Sequence, residues 1–174
     1  MLSGDEVCFF DQFSSNAFLL IRFIHSEIYR QRPDVHSVIH VHPTHAVALS
    51  ATGQPLRPIS QPAVSFFDGV PYFTGTINLI RKPEQGAAVA EALGPHRAVF
   101  LRNHGVAVAG ASLEEATVLS LLLEEACRIQ LLAMAAGGIG EVFPDEDIAQ
   151  LHRDITRPEQ FTINFDYLRR KLGR

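Results

Sequence analysis

Two histidines stand two residues apart in an apolar run, Ser37-Val38-Ile39-His40-Val41-His42. An extended strand turns alternate side chains to opposite faces, so this spacing sets His40 and His42 on one face and Ile39 and Val41 on the other. Desolvating two imidazoles in an apolar strand is costly unless something binds them. A divalent metal is the commonest such partner, neutral imidazole being its most frequent protein ligand. A third candidate, His104, lies in Leu101-Arg102-Asn103-His104-Gly105, between the apolar runs 98–101 and 106–109. This reads as a tight turn between strands, where Asn103 or Gly105 takes positive φ at low cost. His40, His42 and His104 would form a three-histidine site with open coordination positions, the mark of a catalytic rather than a structural metal site. The plain alternative is three hydrogen-bonded core histidines.

The elements that must position these residues are legible in outline. Phe18, Ile21, Ile24 and Ile28 recur at helical spacing, predicting a helix from Phe18 to Arg32 that Pro33 closes. The histidine strand, 36–42, comes next. Pro43-Thr44 opens a short helix ended by Gly53, with Thr44 as the expected N-cap. Residues 63–67 and 70–74 flank Asp68-Gly69, which predicts a hairpin with a type I′ turn. Lys82-Pro83-Glu84 starts a helix that Gly94 ends, and Ser112 with Glu115 reads as a capping box for a long helix to about Ala136, stopped by Gly137-Gly138. An acidic helix from Asp145 to Arg153 precedes Phe161-Thr162-Ile163-Asn164-Phe165, which alternates as a strand would. The whole predicts one α/β layered domain over residues 1–174, with a largely antiparallel sheet. Residues 1 to about 16, with Phe9-Phe10 and Phe13, show no clear period.

Composition narrows the function. The 174 residues are 47% hydrophobic and 20% charged, as in a globular protein with a real core. A net charge of −4 gives no basic footprint for nucleic acid, and the Arg169-Arg170-Lys171 cluster reads as a solvated tail. No apolar run approaches the ~20 residues of a membrane span, and the start lacks a basic export-type leader. Two cysteines, Cys8 and Cys127, suit a reducing compartment, so the cytoplasm is expected. Among the other histidines, His25 reads as packed on its helix beside Ile21, Ile24 and Ile28, and His36, His96 and His152 as surface residues. His45, at a helix start three residues after His42, is a candidate to line the pocket. Leu119, Leu122, Leu123, Ala126 and Ile129 read as core or core plus subunit interface. Asp145-Glu146-Asp147 complements a helix dipole.

Three blocks in order, Arg32-Pro33-Asp34-Val35 running into Val38-Ile39-His40-Val41-His42-Pro43, then Leu101-Arg102-Asn103-His104-Gly105, then Gly110-Ala111-Ser112-Leu113-Glu114-Glu115-Ala116, resemble the class II aldolase/adducin family. The resemblance runs from about residue 23 to about residue 170; residues 1–22 match poorly. It implies a three-layer α/β/α fold around a mixed, mainly antiparallel sheet. It also implies that His40, His42 and His104 hold a divalent cation, Zn2+ first, with Fe2+, Mn2+ or Co2+ as alternatives. The implied partners are a small-molecule substrate and further copies of the chain, as a tetramer. Such a metal, acting as a Lewis acid, stabilises the enediolate formed when a carbon–carbon bond breaks, so one pocket serves retro-aldol cleavage or decarboxylation.

The chain departs from the pattern at one place that matters. The family's aldolases carry a Glu or Asp four residues before the histidine that here is His25; this chain has Ile21, which moves no proton. Ser14-Ser15-Asn16 only faintly echoes the phosphate-cradling elements. Two explanations compete, an N-terminally incomplete or altered family member and a divergent one with different chemistry; the first is favoured because residues 1–21 look unlike the family while residue 23 onward fits smoothly. The leading expectation is a metal-dependent aldolase-type lyase with weak or absent activity. The alternatives are a decarboxylase, an iron-dependent oxygenase, and a non-catalytic assembly protein of the adducin kind. Three histidines without a carboxylate depart from the usual iron oxygenase centre.

Overall fold

The computed structural model describes residues 15–173, with side chains from Arg22 onward. Cys8, the Phe9-Phe10-Phe13 cluster, Ser14 and the side chain of Ile21 lie outside the described residues. Helix α1 (Ser15–Gln31) leads to strand β1 (Ser37–Val41), and then come α2 (Thr44–Thr52), α3 (Gln61–Val64) and β2 (Tyr72–Phe73). Helix α4 (Pro83–Leu93), strands β3 (Ala98–Leu101) and β4 (Gly105–Gly110), and helices α5 (Leu113–Ala135), α6 (Asp145–Ile155) and α7 (Pro158–Lys171) complete the order. The sheet runs β1-β4-β3-β2. Its β1–β4 and β3–β4 pairs are antiparallel and its β2–β3 pair parallel, so the sheet is mixed.

Every residue of β3 and β4 is buried, because helices cover both faces of the sheet. Val99, Leu101, Ala107 and Ala109 face α1 and α4, packing with Ile24, Ile28, Val89 and Leu93. Their alternates Ala98, Phe100, Val106 and Val108 face α2 and α5, packing with Ala46, Leu49, Leu119 and Leu123. This is the expected three-layer α/β/α arrangement, and two-sided burial explains why these strands read as unbroken apolar runs. Buried Gln130 of α5 reaches out of the second layer to hold the chain after α2: its Oε1 accepts from Arg57 N at 2.7 Å and its Nε2 donates to the Pro55 carbonyl at 2.8 Å. Among the described residues no helix is long and apolar enough to cross a membrane.

Several local expectations are corrected. There is no hairpin over 63–74. Ser60 caps α3, with its hydroxyl accepting from Ala63 N and Pro62 in the first turn. After Asp68-Gly69 comes the two-residue β2, parallel to β3. Gly69 has φ 98° but Asp68 does not have positive φ, so a type I′ turn is not made. Phe161–Phe165 belongs to α7, where Pro158 sits in the first turn. Phe161, Phe165 and Leu168 recur at helical spacing and pack on the α5 side of the core. Thr44 is not a cap, because Pro43 occupies that position without a side-chain bond. The capping box of α5 is half made. Ser112 Oγ accepts from Glu115 N at 3.1 Å, but the Glu115 carboxylate takes Ala111 N and the Arg97 guanidinium instead of closing on Ser112. His152 is no surface residue: its side chain is 14% exposed, and Nδ1 donates to the Val64 carbonyl at 2.7 Å.

Cys127, fully buried in α5, has its thiol pushed up to about 12, by burial first and the Glu124 carboxylate second. Its thiolate is therefore scarce at working pH and out of reach of reagents. In a Cys8→Ser variant, a disulfide reagent at pH 8 is expected to find no thiol in the native protein and one after unfolding in guanidinium. Rapid native labelling would contradict this packing.

Candidate metal centre

Strand β1 delivers two of the three histidines. Its register on β4 pairs His40 with Ala107 and Val41 with Val106. Val38 belongs to the α1–α4 side of the core and His40 shares its face. Buried His25 of α1 lies on that same side, close enough for its charge to bear on His40. His42 is the first residue past β1 and reaches solvent.

The β3–β4 turn delivers the third. Asn103, at φ 61°, is the one described non-glycine residue with positive φ. Asparagine adopts this conformation more readily than most residues. The Leu101 carbonyl accepts from His104 N at 2.9 Å and closes the turn. The turn is also anchored from α2, where buried Ser50 Oγ accepts from Asn103 N at 3.0 Å. Gly105 takes no positive φ; it is required for close approach. A Cβ there would lie 2.5 Å from the Val41 carbonyl oxygen and 2.7 Å from His42 Cδ2.

These elements bring His40, His42 and His104 together, with one ligand nitrogen from each within 4.8 Å of the others. The His42 and His104 rings stack at 4.9 Å and 15°, and His40 stands nearly perpendicular to both at 4.8 and 5.2 Å. His40 Nδ1 lies 2.9 Å from the Val106 carbonyl oxygen. A carbonyl only accepts, so Nδ1 carries the proton and Nε2 keeps its lone pair. That Nε2 is buried and has no hydrogen-bond partner, and neither has buried His104 Nδ1. Burial, chiefly, drives the His40 imidazole down to about 3, the neighbouring histidines adding to the fall while the Val106 bond opposes it. His104 is lowered too, by burial and then by His42. The unsatisfied nitrogens of His40 and His104, with the His42 ring beside them, fit a divalent cation, and a carbonyl fixing the tautomer from behind is usual for such ligands. The group contains no carboxylate among the described residues.

His45 stands outside the group. Its Nδ1 lies 2.7 Å from Glu124 Oε1, and the same carboxylate accepts from His45 N and Ala46 N. Glu124 is the residue that sequence reasoning missed. It lies in the Glu124-Glu125 pair of the long helix, where spacing does not separate it from its neighbour. The available signal was α2 itself, which opens on Pro43-Thr44 and leaves its first amides without a local acceptor.

Residues 22–131 match the family described as the class II aldolase and adducin N-terminal domain. The chain belongs to that family. It is 41% identical over 123 residues to a 4-hydroxy-3-prenylphenylpyruvate oxygenase/4-hydroxy-3-prenylbenzoate synthase from Streptomyces roseochromogenus subsp. oscitans, covering 71% of this chain and 44% of that protein. It is 40% identical over 119 residues to decarboxylase NovR from Streptomyces niveus, covering 68% and 44%. The chain thus spans less than half the length of these curated relatives. Among solved structures, L-fuculose 1-phosphate aldolase from Glaciozyma antarctica PI12 superposes with a TM-score of 0.72 at 28% identity, over 86% of this chain and 58% of that one. The fold is that of the class II aldolases, and the family's enzymes are metal-dependent.

Gly105→Ala tests the close approach. The added methyl has to displace the Val41 backbone or the His42 ring, so a loss of about 1–3 kcal/mol is expected for such overpacking, read as a lower urea midpoint of the metal-free protein. An unchanged midpoint would show that β1 and β4 do not approach this tightly.

Proposed function

We propose that this class II aldolase-family protein is a metal-dependent carbon–carbon lyase whose cation, Zn2+, is held by His40, His42 and His104. The observation that carries the reading is the buried, unpartnered Nε2 of His40, whose lone pair is fixed by the Nδ1–Val106 bond. Leaving a buried acceptor unsatisfied costs about 1–3 kcal/mol, a cost that a bound cation removes. When bound, the metal supplies Lewis-acid polarisation of a substrate carbonyl. The chain's own residues do the rest: His40 anchors the site from the sheet interior, while exposed His42 and half-buried His104 form its solvent side. The substrate class is a small hydroxy-carbonyl compound or sugar phosphate. In this reading the protein is cytoplasmic and works as a homo-oligomer, a tetramer.

Decarboxylation is the second reading, favoured by Ile21 and by the names of the Streptomyces relatives. Loss of CO2 leaves the bonding electron pair on carbon and needs no base to begin. A chain with isoleucine at the acid's position is better suited to that start than to deprotonating a substrate. An oxygenase on the same site is supported by the name of the prenylbenzoate synthase relative alone. The three-histidine donor set does not favour it.

Zinc at about a hundred times its Kd is expected to raise Tm by roughly 5–10 °C, since it binds the native state alone. His40→Ala and His104→Ala are expected to abolish the shift, and equal stabilisation of either variant would sink the metal assignment. With L-fuculose 1-phosphate as probe, aldehyde release is expected to be weak, to vanish with chelator, and to rise in Ile21→Glu. Undiminished release after chelation would remove the metal from the reaction.

A further inference from the structure

Helix α2 touches both segments that carry the candidate ligands. Its first turn, opening at Thr44, follows His42 with only Pro43 between, and its Ser50 holds the turn that carries His104. The start of this helix lacks a local cap. Its orphan amides are satisfied from a distant helix, because Glu124 Oε2 accepts from Ala46 N at 2.9 Å and from His45 N at 3.1 Å, and Oε1 accepts from His45 N at 3.0 Å. The same Oε1 takes the His45 imidazole at 2.7 Å. Four contacts from one carboxylate fasten the backbone close behind exposed His42.

The other two histidines are held by different means. His40 is fixed by the Val106 carbonyl, and His104 by its turn and by Ser50. His42 lies beyond the last residue of β1, against Gly105. Glu125, the next residue along α5, makes an exposed pair with Arg128 and does nothing comparable.

We infer that Glu124 is a positioning residue of the metal centre, acting through the α2 N-terminus on His42. The inference rests on the three-histidine reading above. A carboxylate suits this role because it is acceptor-only, takes several N–H donors at once, and carries a charge favoured at a helix N-terminus. An amide of the same shape has one acceptor oxygen and cannot make all four contacts. Partners that orient metal ligands typically cost tenfold to a hundredfold in metal affinity when removed.

The test is zinc affinity, measured by competition with a chelating dye, in a double-mutant cycle of Glu124→Gln and His42→Ala. Glu124→Gln alone is expected to weaken zinc by about tenfold or more and to shift the visible absorption of the Co2+-substituted protein. In the His42→Ala background Glu124→Gln is expected to change zinc affinity less than twofold, since the ligand it positions is gone. Glu124→Asp keeps the charge but falls one methylene short. It is expected to weaken zinc in the same His42-dependent way, and it replaces Glu124→Gln if that variant does not fold. Unchanged affinity and an unchanged Co2+ spectrum in the single variant would overturn the inference. So would an equal loss with and without His42, which would mark Glu124 as a general support of the fold. A wild-type protein that binds no zinc would instead overturn the metal reading, and this inference with it.

Discussion

The antiparallel register of β1 on β4 is the constraint on which the site depends. Pairing His40 with Ala107 sets the His40 ring beside the Val106 carbonyl and brings the strand end down onto Gly105, next to His104. A slip of one residue would turn the histidine face toward α2 and α5 and Ile39 and Val41 toward α1. The register is held by burial on both sides. Val38 and Ala107 pack into one layer and Val106 and Val108 into the other, so a slipped strand would place every side chain in the wrong core.

The same burial that fixes the register makes the site expensive. His40 is held neutral in the sheet interior with one nitrogen satisfied and one not, and His104 has a buried nitrogen in the same condition. A fold selected for stability alone would have no reason to gather three imidazoles at one sheet end. Apolar burial on both faces of β3 and β4 offsets that cost, and the neutral, pre-oriented lone pairs are what a divalent cation requires.

Class II aldolase membership and fold are shown by the match over residues 22–131 and by the superposition on a fuculose phosphate aldolase. The three histidines stand at the positions where the family resemblance expects ligands, while the expected acid is Ile21. The chain therefore combines a three-histidine cluster with isoleucine at the position where the resemblance expects a proton-transfer acid.

How much was legible depended on how local the signal was. The histidine pair, the buried runs of β3 and β4, the asparagine turn, and the Pro83 and Ser112 helix starts are set by neighbours a few residues apart, and they could be read directly. Asp68-Gly69 and Phe161–Phe165 carry short patterns that fit two structures equally well. Ser60 and Pro62 favoured a helical turn, and the α5 surface selected Phe161, Phe165 and Leu168 as one helical face. Only the tertiary structure decided that Gly105 is needed for close approach rather than for its φ, and that the missing cap of α2 arrives from Glu124, seventy-eight residues beyond Ala46. By itself the sequence determined which residues are the candidate ligands, through the cost of burying imidazole in an apolar strand. The packing of distant elements decided how those residues are held, because the groups that orient them become neighbours only when the chain folds.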